Sequence, residues 1–359
     1  MKTRIFAGLF FSLIIAGMSF TAFGQEAEGT VTGKEKGESE SVFDASTFIM
    51  EHIADSHEWH LLKKKDGESV AIYLPVILFS GEKGLDLFSS KKLAHGNIYK
   101  GYKLEEEGDL KGTIVNINED GTVDEESIPF DFSITKTIVG LLFSAIIGLL
   151  LFIGLGRSYK KTGISHPKGL QSFLEPLILF IRDDIAIANI GEHKYEKYMP
   201  YLLTVFFFIL LNNLMGLIPF PPPFGANVTG NIAVTFVLAF FTFIITQFSG
   251  NKNYWKHIFA TPGVPLWLLP VMIPVELIGI ISKPFALMIR LFANMTAGHI
   301  IVLSLVALIF IFDTVWVSPV SIMFVIFMDC LELLVAFLQA YVFTLLSALF
   351  ISLAVQENH

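Results

Sequence analysis

Hydrophobic and polar positions divide this chain into a polar front and an apolar back, with the change near residue 133. Thr137–Gly156 is a run of twenty residues without a charge, enough to cross a hydrocarbon core as a helix. Leu170–Lys197 is amphipathic, broken by Glu175, Arg182, Asp183 and Asp184, and predicts a helix along the cytoplasmic interface. Tyr198–Asn251 carries no charge and predicts two spans, split by the loop Pro219–Gly225 with its four prolines. Pro265–Phe312 is one apolar stretch too long for a perpendicular span, so a strongly tilted or bent helix is expected, with Pro270, Pro274 and Pro284 as places to bend. Asp313–Pro319 is a short turn, and Pro319–Val355 is the last long helix. The expected fold is an all-α polytopic membrane protein: five transmembrane helices, a cytoplasmic interfacial helix, and the last two spans long and tilted.

The front predicts something different. Residues 43–62 are helix-like, with Phe43, Ile49, Ile53 and Leu61 among polar positions. Residues 70–79 and 113–123 are strand-like, and Asp120-Gly121 is a turn signal. A small extracytoplasmic α+β module follows from this. Ahead of it, residues 1–24 have the form of a secretory signal peptide: Lys2 and Arg4, an apolar stretch, then Ala22-Phe23-Gly24 as a cleavage site. The competing reading is a first membrane helix. Residues 25–41 are Gly/Glu/Lys/Ser-rich and carry no packing signal. The expected division is therefore 1–24 signal peptide, 25–132 acidic extracytoplasmic extension, and 133–359 membrane domain.

Charge sharpens the orientation. Residues 25–135 hold 23 acids against 11 Lys/Arg, a net of −12, whereas the whole chain is −8. Arg157, Lys160, Lys161 and Lys168 follow the first span, and Lys252, Lys256 and His257 follow the third, which marks those ends as cytoplasmic. The N-terminus is then outside and the C-terminus inside, in a bacterial inner membrane. Only 16% of residues are charged and 53% are hydrophobic, with 35 Phe, which fits a lipid-facing surface. There is no basic patch, Gly-rich phosphate loop or Cys/His zinc spacing, so neither nucleic acid nor a cofactor or metal is expected. His52, His57 and His60 fit no standard zinc pattern and read as a solvated helix carrying Trp59 at the membrane surface. Cys330, the lone cysteine, reads as packing.

Ionisable groups inside a membrane are costly and persist where they line a polar path or pair. At about 100° and 1.5 Å per residue, Glu276, Lys283, Arg290 and Asn294 fall in one narrow stripe. His299 lies roughly 13 Å beyond Arg290 and on the opposite face. On the last helix Asp329, Glu332 and Gln339 share another stripe. Folding the two helices about a midpoint near residue 315 sets Arg290 level with Gln339, and His299 level with Glu332 nearer the outer surface. Glu276 lies below Arg290. Imidazole and carboxylate can pass protons. A guanidinium cannot, but it can stand as a barrier and draw a proton off a passing carboxylate. Each residue also has a plainer reading. Arg290 could pair with Glu276 or Glu332, Lys283 could snorkel, and Asp329 could pair locally.

At these residues the chain resembles a known family. Glu276 through Ser282-Lys283-Pro284 to Arg290-Leu291-Phe292-Ala293-Asn294-Met295 and Ala297-Gly298-His299 resembles the signature of subunit a of F-type ATP synthases. Leu338-Gln339-Ala340-Tyr341-Val342-Phe343 and Asn213-Leu214-Met215-Gly216-Leu217-Ile218-Pro219 are similar to two further family segments. The resemblance covers about residues 130–355, with a weaker echo at His52–His60. It implies a non-catalytic stator subunit that passes protons through two half-channels to a ring of c subunits, each with one membrane carboxylate. It implies subunit b and the rest of the synthase as further partners. By resemblance Arg290 is the obligatory arginine, Gln339 its neighbour, and His299 with Glu332 the family's Glu/His pair in exchanged order. Gly216 and Asn231 stand where some members have acids, which suggests a polar path lined by Asn212, Asn213 and Asn231. The long acidic front departs from the family pattern. A proton-driven secondary transporter would show repeated halves, which are absent from the sequence. A receptor or scaffold would leave the Arg290 stripe without a purpose.

Overall fold

The computed structural model describes residues 45–356, apart from 64–68, 82, 106–107, 109, 119–121, 125–126, 163–168, 219–221, 261–264 and 313–316. The signal peptide, the Gly/Glu-rich segment, the Asp120-Gly121 turn, Lys168 and Asp313 lie outside the described residues.

The front is an α+β module. A short helix α1 (Ala45–Ile53) leads into β1 (Glu58–Lys63), which pairs antiparallel with β2 (Ser69–Tyr73). β3 (Pro75–Ser80) lies between β4 (Gly84–Ser89) and β8 (Phe130–Asp131), and β6 (Ile114–Ile117) lies between β5 (Tyr102–Leu104) and β7 (Val123–Asp124). Alternation along β3 sends Val76 and Leu78 inward, where they meet Phe88, Leu93, Tyr102 and Ile114 in a small core. The run 70–79 reads as one strand but forms two. Pro75 has no N–H to continue the first ladder. At the break, the Leu74 N–H donates to the His57 carbonyl (3.2 Å) and to Ser90 Oγ (3.1 Å).

The helix expected over residues 43–62 stops at Ile53. Asp55 is the cause. Its carboxylate accepts from Ser56 N (3.0 Å), Thr137 N (3.1 Å) and Thr135 Oγ1 (2.7 Å), so it caps the first spanning helix rather than extending its own. His52, His57 and His60 therefore fall on a helix end, a loop and a strand, not on one solvated helix. No three metal-ligating side chains come together among the described residues. Trp59 packs against the core of the membrane domain rather than standing free at a lipid surface.

His57 is buried and hydrogen-bonds Asp131 Oδ2 at 2.8 Å. Burial pushes the Asp131 carboxyl up, but His57 and the Ser133 hydrogen bonds outweigh it and hold it below the usual carboxylate range. A carboxyl held low in the fold contributes stability above its unfolded value, about 3.9, and loses it as pH falls through the folded value. Asp131→Asn should cost the module roughly 1–3 kcal/mol at neutral pH. The gap from the wild type should close as pH falls below about 4. Hydrogen exchange in β1–β4 across that range measures both, and equal protection at neutral pH would refute the assignment.

Among the described residues, five helices are long and apolar enough to cross a membrane, all of them in the back. The first, α2 (Lys136–Thr162), is followed by α3 (Leu170–Phe180), which continues through π-helical turns at Ile181–Ile187 to Ile190. This is the expected amphipathic segment, shorter than Leu170–Lys197. It buries Leu174, Ile181, Ile185 and Ile190, and Phe180 packs on Tyr341. The second span, α4, already begins at Tyr195 and runs to Leu217. α5 (Ile232–Ser249) is the third, joined through a short helix α6 (Lys252–Phe259) to α7 (Leu269–Phe312) and α8 (Val317–Val355).

Burial ranks these helices. The most apolar stretch of α4 is 72% buried within the chain, against 11% for the corresponding stretches of α7 and α8. α4 is thus the centre of the bundle, and α7 with the first half of α8 lies along one side, largely open. The bundle end at the C-terminus of α8 is tied together by polar contacts. Lys194 Nζ donates to the Val355 carbonyl (2.9 Å), and Asn251 N donates to the Ala354 carbonyl (3.0 Å), which satisfies carbonyls at the C-terminal end of α8. At the opposite end α2 comes close to the segment before α5. A Cβ on Gly140 would stand 2.8 Å from Ala226 Cβ, so only glycine permits the approach.

Candidate functional site

The site is built on α7 and α8. Two contacts fix their register. The Ser321 hydroxyl donates to the Leu305 carbonyl, and a Cβ on Gly298 would overlap the Glu332 carboxylate. Each pair is nearly equidistant from residues 313–315, so the helices run antiparallel about that point. The same register carries Arg290 to the level of Gln339, which is buried in α8.

The two faces of α7 differ. Lys283, Arg290 and Asn294 are exposed and Glu276 is half-buried, on the side of the chain that α4 does not cover. Arg290 makes no ion pair with a described residue, so the alternative of a structural Arg290–Glu276 or Arg290–Glu332 bridge is not what the chain adopts. A guanidinium on an apolar, open helix face is a charge awaiting a partner from outside the chain.

His299 points the other way, toward α4, as half a turn of offset from Arg290 requires. Its Nε2 lies 3.3 Å from the Gly216 carbonyl and its Nδ1 3.2 Å from the Met295 carbonyl. Both neighbours can only accept. A neutral ring donates to one, an imidazolium to both, so each proton gained or lost at His299 changes one hydrogen bond. Glu332 is on the same level but does not hydrogen-bond the imidazole directly. It is 9% exposed, turned toward the gap at Gly298, and its Oε1 has no partner among the described residues. Asp329 is exposed about one turn nearer the start of α8.

The asparagines are spent locally. Asn213 is fully buried, donates to the Ala336 carbonyl (3.2 Å) and accepts from Thr229 Oγ1 (2.7 Å), which pins α4 to α8. Asn231 caps α5 through the Ala233 N–H at 2.9 Å. Asn212 donates to the Phe208 carbonyl (2.8 Å), and its Oδ1 is unpaired among the described residues.

Sequence reasoning missed a group near the C-terminal end of α8. A small cavity lies between α5, α6, α7 and α8, lined by Thr246, Gln247, Tyr254, Lys283 and Phe350 among others. Gln247 donates to Tyr254 Oη at 3.1 Å, and Lys283 Nζ sits 5.8 Å from the centre of the Phe350 ring. Burial raises the Tyr254 phenol above its ordinary range, and the charge of Glu276 adds to this. Deeper in the bundle, Tyr201 Oη, Thr242 Oγ1 and Ser347 Oγ form a buried chain at 2.6 and 3.2 Å. The only sequence signal for either group was isolated hydroxyls and an amide in otherwise apolar helices.

Five helices long and apolar enough to span among the described residues, with ionisable side chains on two faces of the long last pair, define a polytopic membrane protein with charge held on apolar helices. A family model described as ATP synthase A chain matches residues 138–352. The ATP synthase subunit a of Chloroherpeton thalassium is 51% identical over 237 residues, covering 64% of this chain and 69% of that one. The subunit a of Chlorobium phaeobacteroides strain BS1 is 52% identical, covering 64% and 68%, and that of Myxococcus xanthus is 47% identical, covering 64% and 75%. Residues 48–132 match a second model, described as a domain of unknown function (DUF8433). The chain belongs to the ATP synthase subunit a family, and the role of proton-translocating stator subunit follows from that membership.

Proposed function

We propose that this chain carries protons through two half-channels that meet at Arg290. His299 and Glu332 load and unload protons on the outer side. Glu276, with Lys283 and the cavity at Gln247 and Tyr254, forms the inner side. Asn294 and Gln339 flank the arginine, and Asp329 lies toward the outer mouth. Asn213 and Asn231 hold the walls of the outer path. The observation that carries this reading is the opposite orientation of two groups on one helix. Arg290 faces out of the chain and His299 faces into it, with about 13 Å of helix between them. A proton delivered from inside the bundle can then reach a carboxylate that meets Arg290 from outside.

That carboxylate belongs to a ring of c subunits, and subunit b and the rest of the synthase complete the assembly. Nucleotide chemistry falls to those partners. The chain lies in a bacterial inner membrane. Its signal peptide (1–24) and acidic domain (25–132) are directed outward, and the C-terminal end of its membrane domain (133–359) faces inward. Inverted vesicles bearing the assembled complex should acidify on addition of ATP without sodium, and a protonophore should collapse the signal. Pumping that needs sodium and resists the protonophore would overturn the choice of ion. Acidification indifferent to ATP would overturn the stator role.

A further inference from the structure

One face of the front module is apolar and open. β3 lies between β4 and β8, and its inward residues Val76 and Leu78 belong to the small core. The opposite face carries Ile77 and Phe79 from β3, Leu85 and Leu87 from β4, Phe130 from β8, and Phe132 just beyond it. Pairing sets them in two rows. Phe79 stands opposite Leu85 and Phe130, and Ile77 stands opposite Leu87. The Phe132 N–H donates to the Ile77 carbonyl at 2.8 Å, which completes the second row. Five of the six side chains are exposed, Leu85 and Leu87 to 69% and 67%, and Ile77 is half-buried. Together they present on the order of 500 Å². A patch of that size is at the upper end for a monomer surface and calls for an occupant.

Continuity, direction and charge say which. Pairing runs on past Phe132, where the Ile134 N–H donates to the Pro75 carbonyl (3.1 Å), and α2 starts at Lys136. Phe132 is four residues from that start, at most about 14 Å of extended chain. The near row is therefore held close to the level where the first apolar helix begins. The face also turns away from the bundle. Asp131, on the other side of the strand, bonds His57. His57 follows α1, which lies along α7, and Trp59 packs on the membrane core. Charge is segregated too. Residues 70–104 hold five Lys against Glu82 and Asp86, whereas 105–126, the stretch of β6 and β7, hold nine acids against Lys111. Lys91 and Lys92 are exposed directly after β4, at the end of the sheet where Pro75 meets Ile134. Lys92 spends one donor on Tyr99 Oη (2.7 Å) and keeps two.

We propose that this face beds into the membrane leaflet on the module's own side, with its apolar rows at the acyl-chain boundary and Lys91 and Lys92 on anionic lipid phosphates. A second copy of the chain fits less well, because a stable interface buries about 800 Å² a side. A module already tethered at the surface by α2 needs no such area. The inference requires that α2 crosses the bilayer and stands apart from the half-channel reading.

The test uses the full chain carrying Cys330→Ser, in nanodiscs of phosphatidylcholine and phosphatidylglycerol. Leu87→Cys, Phe130→Cys and Lys111→Cys are made singly and labelled with an environment-sensitive fluorophore. Lys111 is exposed and precedes β6, so it serves as the control. Lipids brominated high on the acyl chain should remove about half the emission or more from Leu87→Cys and Phe130→Cys, and little from Lys111→Cys. Iodide in the water should do the reverse. Iodide quenching at all three positions overturns the proposal, since the face is then open to water. Shielding of the face positions from both quenchers also overturns it, and indicates a second copy or another segment of the chain as the cover. If one face variant does not fold, the other decides. Lys91→Gln with Lys92→Gln should weaken the lipid quenching in these discs and leave it unchanged in phosphatidylcholine alone. Equal quenching with and without the two lysines overturns their assignment to the lipid phosphates.

Discussion

Replacing Arg290 by alanine should reduce ATP-driven acidification of inverted vesicles about 100-fold or more, in line with removal of one preorganised electrostatic group from a water-poor site. The expectation follows from where the guanidinium sits. It lies mid-helix, open to the outside of the chain and without an ion pair among the described residues. No described residue pairs with it, so the loss should be one of function, with the complex still assembled. Passive proton conductance should rise, because a fixed positive charge no longer divides the outer path from the inner one. Acidification that survives unchanged would sink the stator mechanism and bring back the secondary transporter.

Glu332→Gln should lower pumping by roughly 100- to 10,000-fold, the usual range for loss of a positioned proton-transfer group. The amide keeps the shape that fits beside Gly298 but cannot titrate. His299→Ala should fall in the same range. The double exchange His299→Glu with Glu332→His restores an imidazole and a carboxylate on the same level and should recover part of what either single exchange loses. Wild-type pumping by Glu332→Gln would remove the pair from the path. Equal defects in the single and double exchanges would show that the order of the two groups is itself required.

The membrane half was legible because its constraint is one-dimensional. A charge-free run must cross the bilayer, and a cluster of Lys and Arg must stay behind, so span number and order could be read directly. The hairpin register came from the same simplicity. Two straight helices about one turn leave a single free parameter, and Gly298 against Glu332 fits the value taken from the sequence. The front module was less legible because its strands are set by partners distant in the chain. Trp59 and Ile72 pair across a gap no local propensity announces, and Asp55 serves a helix that starts eighty residues later. The asparagines misled in a different way. An amide in an apolar helix signals a polar need, but not whether that need is a wall, a cap or a path. Asn213 bridges α4 to α8 and Asn231 caps α5.

The length of α7 has a further consequence. Its 44 residues make a rod of about 66 Å in a hydrocarbon layer of about 30 Å. A straight rod of that length held within the layer would lean more than about 60° from the normal. Glu276, Lys283, Arg290 and Asn294 would then be spread sideways far more than they are stacked. A rotor sweeping past such a helix meets them one after another, so position along the polypeptide becomes a schedule. Inserting or deleting a residue between Lys283 and Arg290 would alter the timing of the cycle as much as its geometry.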